Sequence, residues 1–215
     1  MSRFPQNGVD DDAFQINVIT SDITYMKDTY CVAGWSPNTG QMKRLMINGN
    51  HWSDDDLKKI GKYASLNVNV IPKDGGRNYP HKTEDTNIDE NFKVVRHYEK
   101  PEVLVKDLRP ATSKTIQEAF GGNLKKKSYV KFQTKCPSLG GVIMPAKNVK
   151  FFKHDGKLRV NLLDNDGADY DVRVTCKYLR DFLIALTHKS HCSRKADSLG
   201  LPVHQVREKA ACFAP

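Results

Sequence analysis

Tyr79-Pro80-His81-Lys82-Thr83-Glu84-Asp85 places an imidazole close to two carboxylates. That is the donor set of an acid/base pair, or of part of a divalent-metal site. No second ligand group stands at a useful spacing. The competing reading is structural: His81 and Asp85 hydrogen-bond loop backbone and pin a crossover between strands. Near the C-terminus, His188, His191, Cys192, His204 and Cys212 are also of ligand type. They lack the Cys-x-x-Cys half of the strong zinc spacings, so exposed histidines and free thiols are expected there. Cys31, between Tyr30 and Val32 in a β-rich run, reads as a core thiol. Gly75-Gly76-Arg77 reads as a turn, because no Lys-Ser/Thr follows at phosphate-loop spacing. The expectation is a protein with no catalytic residue, no metal and no cofactor.

Basic and aromatic residues give a stronger pattern. The chain of 215 residues carries a net charge of +9. Residues 1–100 hold 13 Lys/Arg against 14 Asp/Glu, and residues 101–215 hold 21 against 11. All of the excess charge therefore lies in the second half, which favours a polyanionic partner docking there. Lys125, Lys126, Lys127, Lys131, Lys147, Lys150, Arg159 and Arg173 are the phosphate-binding candidates, and Phe151 is the stacking candidate. Phe151 and Phe152 are neighbours on one strand, so one of them must point outward. In the first half Lys43, Arg44, Trp35, His51 and Trp52 form a smaller set, and His81 and Glu84 are further ligand candidates. The plain alternative is that the aromatics fill the core and the lysines are a solvated face.

These residues need elements to hold them. Gln15–Thr20, Thr29–Trp35 and Lys43–Ile47 read as strands, with a turn at Ser36-Pro37-Asn38-Thr39-Gly40. Ser53-Asp54-Asp55-Asp56-Leu57-Lys58-Lys59-Ile60-Gly61 reads as a short helix with a Ser N-cap and a Gly end. Ala64–Ile71 alternates with period 2 and Phe92–His97 resumes as a strand, with a turn-rich span between them. EVLVKDL and SKTIQEAFGG are helical, the second with Ser113 as the expected N-cap. After Lys125 a new meander begins at Ser128–Thr134. It continues through Asp155-Gly156 and Asp164–Gly167 hairpin turns to a closing helix at Tyr178–His188. A further weak helix is expected in the tail.

Strand–strand–strand–helix–strand followed by a second set of short strands predicts a mainly β protein. It would hold two OB-like small β-barrels in series, with a helical connector and a helical C-terminal tail. The expected boundaries are a disordered leader at 1–14, a first barrel at 15–98 and the connector at 99–124. The second barrel spans 125–188 and the tail 189–215. No stretch reaches the about 18 apolar residues of a membrane span, and the N-terminus lacks a secretory h-region. Five scattered cysteines fit free thiols in a reducing cytoplasm.

Three segments resemble the bacterial and phage dual OB-fold domain family. They are VITSDITYMKDTYCVAGWSPNTGQMKRLM with Arg44, YPHKTEDTNI, and PSLGGVIMPAKNVKFF followed by GKLRVNLLDNDGADYDVRVTCKYLRD. The resemblance covers residues 15–182. It departs at Cys176, where an Asp is expected, and in the C-terminal 30 residues. It implies the double barrel and a nucleic-acid or nucleotide ligand, in a mobile-element or defence setting. Together the residues and the resemblance lead to a non-enzymatic nucleic-acid-binding module of weak sequence specificity, on single strands or duplex. Two alternatives stand beside it. One is a nucleotide sensor with Arg44, His81 and Glu84 lining a pocket between the barrels. The other is an adaptor that docks a protein partner through its tail.

Overall fold

A computed structural model describes residues 14–71, 84–125, 134, 136–190 and 212–213. The fold is mainly β. Strand β1 (Phe14–Met26), β2 (Thr29–Ser36) and β3 (Gln41–Ile47) form an antiparallel meander. Helix α1 (Asp54–Ile60) and strands β4 (Ala64–Val70), β5 (Asp85–Ile88) and β6 (Lys93–His97) follow. The sheet closes into a ring in the order β1-β2-β3-β5-β4, with β4 returning to β1. The β3–β5 pairing is parallel, from Arg44 opposite Asp85 to Ile47 opposite Ile88.

β1 serves both sides of this ring. Its first part, Phe14–Ile19, pairs with β4, and its second part pairs with β2. An irregularity between Thr20 and Asp22 marks the switch. Bulges of this kind bend a strand and raise its local twist, as ring closure requires. β2 lies close against β1 here, at Gly34: a Cβ on that residue would overlap the Ile19 carbonyl oxygen.

The ring is filled by Ile16, Val18, Ile23, Val32, Leu45, Leu66, Val68 and Ile88. α1 closes one end with Leu57 and Ile60. Its N-cap is the expected Ser53, and the structure completes a capping box: Asp56 N–H donates to Ser53 Oγ, and the Asp56 carboxylate accepts from Ser53 N–H. Trp52 is fully buried, and its indole N–H donates to Leu45 O at 2.8 Å. β6 pairs with β4 through a bulge at Ser65/Leu66 and carries Lys93, Arg96 and His97. Charge and a bulge blunt an edge strand against further pairing.

The second half begins with helix α2 (Pro101–Leu108), strand β7 (Thr112–Ser113) and helix α3 (Ile116–Ala119). α2 packs Leu104 and Leu108 on Ile19 and Trp35 of the ring. The N-cap of α3 is Thr115, which accepts from Glu118 N–H, and not the expected Ser113, which lies in β7. Strands β8 (Gly140–Val142), β9 (Val149–His154), β10 (Lys157–Leu163) and β11 (Asp169–Arg173) come next. Helix α4 (Lys177–Ser190) and the short strand β12 (Cys212–Phe213) complete the elements.

β9, β10 and β11 form an antiparallel meander, turned at Asp155-Gly156 with φ of 49° and 71°. A separate small sheet runs β12-β8-β7. Among the described residues these two sheets do not close into a second ring, and most of the strand expected at Ser128–Thr134 lies outside those residues. The second core gathers Ile116, Phe120, Val142, Val160, Leu162, Tyr170 and Val174. Asp164 ties it together, accepting from Ile116 N–H at 2.7 Å and from Asn165 N–H at 2.8 Å. A weak tail helix is expected over VHQVREKAACF; its last two residues, Cys212 and Phe213, form strand β12 instead, paired with Gly141 and Gly140, and the rest of it lies outside the described residues. No helix among the described residues is long and apolar enough to cross a membrane.

Candidate nucleic-acid interface

Register decides which side chains of the β9–β11 meander face out. Val160 stands opposite Phe151 and Val172, and all three pack on the second core. The next row along, Phe152–Arg159–Arg173, must point the other way. Phe151, the residue expected to stack, is therefore part of the core, and Phe152, 38% exposed, is the outward ring. Its row spans three strands, about 10 Å at ordinary strand spacing. Lys150, Asn161 and Asp171 form the adjacent outward row, and His154 and Lys157 flank the hairpin tip.

One guanidinium on this face is held in place. Arg159 donates from Nε to Asp171 Oδ1 at 2.7 Å and from Nη2 to Asp171 O at 3.1 Å. The fork is thereby fixed beside the Phe152 ring, in the row where Arg173 is its other neighbour. Among the described residues, Lys150, Lys157 and Arg173 form no ion pair. The face thus offers several uncommitted cations around one exposed aromatic ring. Lys147 sits in the turn before β9, and Lys125 lies at the end of a described segment; both are exposed. Lys126, Lys127 and Lys131 lie outside the described residues.

The first-half candidates are placed differently. Lys43 donates to Gln41 Oε1 at 2.9 Å on the same strand. Arg44 lies in the row that runs from Asp22 through Ala33 to Asp85 on the outer face of the ring. Its Nη1 meets Asp85 Oδ1 at 2.6 Å, and its Nη2 meets Ser138 Oγ at 3.4 Å. Glu84 is buried; its carboxylate accepts from Ser138 N–H at 2.5 Å and from Ser138 Oγ at 2.9 Å. These residues stitch the second half onto the ring. His81 lies outside the described residues.

The same outer face is covered further along. Ala33 is 1% exposed, although it points away from the ring core. Thr24 bridges to Cys176, and Tyr25 N–H donates to Thr175 O at 3.4 Å. Lys177, the next residue, lies over three tyrosine rings, at 5.3 Å from Tyr25, 5.7 Å from Tyr30 and 5.5 Å from Tyr178. Its ammonium donates to Asp181 at 2.9 Å, and that bond chiefly holds its pKa above the usual lysine range. Tyr178 Oη donates to Gly61 O at 2.7 Å.

Burial pushes the thiols of Cys31 and Cys176 above their ordinary range, which makes them poor nucleophiles at neutral pH. Among the described residues no group of three or more His, Cys, Asp or Glu is placed to hold a metal ion. The side chains of the C-terminal His/Cys set lie outside that description.

Sequence reasoning missed Ser138 and Asp22, whose roles depend on the covering half. It named Phe152 without choosing it, and strand parity alone could not choose before the register was known. Comparison with protein-family models, curated proteins and solved structures returned no match to this chain.

Proposed function

We propose that the protein is a non-enzymatic nucleic-acid-binding module that contacts its ligand through the outer face of β9–β11. The observation that carries this reading is the row Phe152–Arg159–Arg173, an exposed ring beside a guanidinium clamped by Asp171. Bases stack on such rings, and uncommitted Lys and Arg around them neutralise phosphates. The charge excess of residues 101–215 points to the same half. We also read the five-stranded ring as an OB-type barrel. A meander, a helix between the third and fourth strands and a parallel third–fifth pairing support that reading. The resemblance to the dual OB-fold family is in keeping with it. In this chain the ring supports the second half, because Arg44 and Glu84 are committed to Asp85 and Ser138.

Fluorescence anisotropy with a labelled oligonucleotide tests the reading. Binding should weaken steeply as salt rises. Phe152→Ala should cost about 5-fold to 100-fold in affinity, the range of one lost base stack. Arg173→Ala should lower the salt slope by about one. Lys43→Ala should leave binding unchanged. Absence of salt-sensitive binding at low ionic strength refutes the proposal.

A further inference from the structure

Asp22 is an acidic side chain of the ring that is enclosed, among the described residues, without an ion pair. It is 6% exposed, and its Oδ1 has no hydrogen-bond partner among the described residues. β2 covers it on one side with Cys31 and Ala33. The chain segment Val174–Cys176, which joins β11 to α4, lies along the other edge of β1. The titratable groups facing the carboxyl are two thiols, Cys31 from β2 and Cys176 from the covering segment; both feel its charge. Arg44 stands behind Cys31, and Tyr63 stands behind Cys176. The backbone N–H of Ile23 is the one group that favours a negative charge on Asp22 among the described residues, and burial outweighs it.

We propose that Asp22 is a pH-operated latch, whose ionisation lifts Thr175 and Cys176 off β1. An ionised carboxylate in this position needs water, and water enters where the cover is weakest. β2 is held to β1 by seven register pairs. Thr175 and Cys176 are held to the ring by one bridge, Thr24–Cys176, one 3.4 Å hydrogen bond and the Tyr63 side chain on Cys176, while Val174 stays in the second core with its N–H on Leu158 O at 3.0 Å. Beyond them the ties are side-chain contacts of α4, such as Tyr178 to Gly61 O. Thr175 and Cys176 yield and the ring does not. The latch stands whether or not the β9–β11 face binds nucleic acid.

Burial raises the Asp22 pKa from 3.8 to about 7. If opening restores the ordinary value, the open-to-closed ratio rises about tenfold between pH 6 and pH 8. Alkylation by N-ethylmaleimide, resolved by peptide mass spectrometry, reads this directly. Both thiols titrate well above this range, so thiolate chemistry cancels in the ratio of Cys176 to Cys31 labelling. That ratio should rise about tenfold from pH 6 to pH 8 in the wild type and stay flat in Asp22→Asn. Amide exchange at Tyr25, corrected for its intrinsic pH dependence, should speed up over the same interval in the wild type, a measurement that needs no variant. An equal rise in both proteins, or a Tyr25 amide indifferent to pH, overturns the proposal.

Discussion

Gly34→Ala puts a methyl group where the ring is tightest. The new carbon would overlap Ile19 O and stand 2.8 Å from both Ile19 C and Val18 Cγ1. Carbon–oxygen contacts settle near 3.3 Å or more, so β1 and β2 must separate by about 1 Å. Neither strand is free to do so. Ile19 pairs with Trp35 on one side and Ser65 on the other, and Val18 is completely buried. Overpacking a core costs about 1–3 kcal/mol. Disturbing one or two ladder hydrogen bonds at the bulge adds about 1 kcal/mol each. The expected loss is about 2–5 kcal/mol, or a fall in Tm of roughly 10 °C for a chain of this size. Gly141→Ala is the control, since its Cβ meets only Thr112 Cγ2, at 3.7 Å. Thermal melts followed by far-UV circular dichroism compare the two. A Gly34→Ala protein that melts within 2–3 °C of the Gly141→Ala protein, a difference of about 1 kcal/mol, refutes the close approach of β1 and β2.

Two further expectations concern stability. Glu84→Gln weakens two hydrogen bonds to Ser138 and should cost about 2 kcal/mol in urea unfolding, as charge-assisted bonds do; an unchanged midpoint counts against the stitch between the halves. Asp22 has a folded pKa near 7, above its unfolded value of 3.8, so the folded state binds the extra proton. Its favourable contribution is complete below the lower value and is lost as pH rises through 7. Wild-type stability should fall by as much as about 4 kcal/mol from that term, and Asp22→Asn should remove the slope. Parallel slopes in the two proteins would exclude this assignment.

Local chemistry was readable wherever the deciding partners were close in sequence. Ser53 with Asp56, and Asp155-Gly156, specify their cap and turn within a few residues, and both form as expected. β5 was hidden in a polar, turn-rich span. Only Thr86 and Ile88 of its four residues are buried, and its main partner, β3, lies some forty positions earlier. The candidate site divides in the same way. Arg159 and Arg173 were visible as residue types, but choosing Phe152 over Phe151 required the pairing with Val160 and Arg159. Glu84 and Arg44 were recognisable as unusual polar residues. Their commitment to Ser138 and Asp85 depends on tertiary neighbours that no periodicity encodes.

The ring uses only residues up to Ile88 for its five closing strands, whereas the cover over Asp22 comes from residues 174–176. Synthesis proceeds from the N-terminus, and units fold in that order. The ring can therefore close while its outer face is still wet and Asp22 still carries its charge. Docking of the last segment dehydrates that carboxyl, and near neutrality the completed chain takes up a proton as it closes. Maturation of this fold is thus coupled to the acidity of its surroundings at its final step, long after the ring itself has formed.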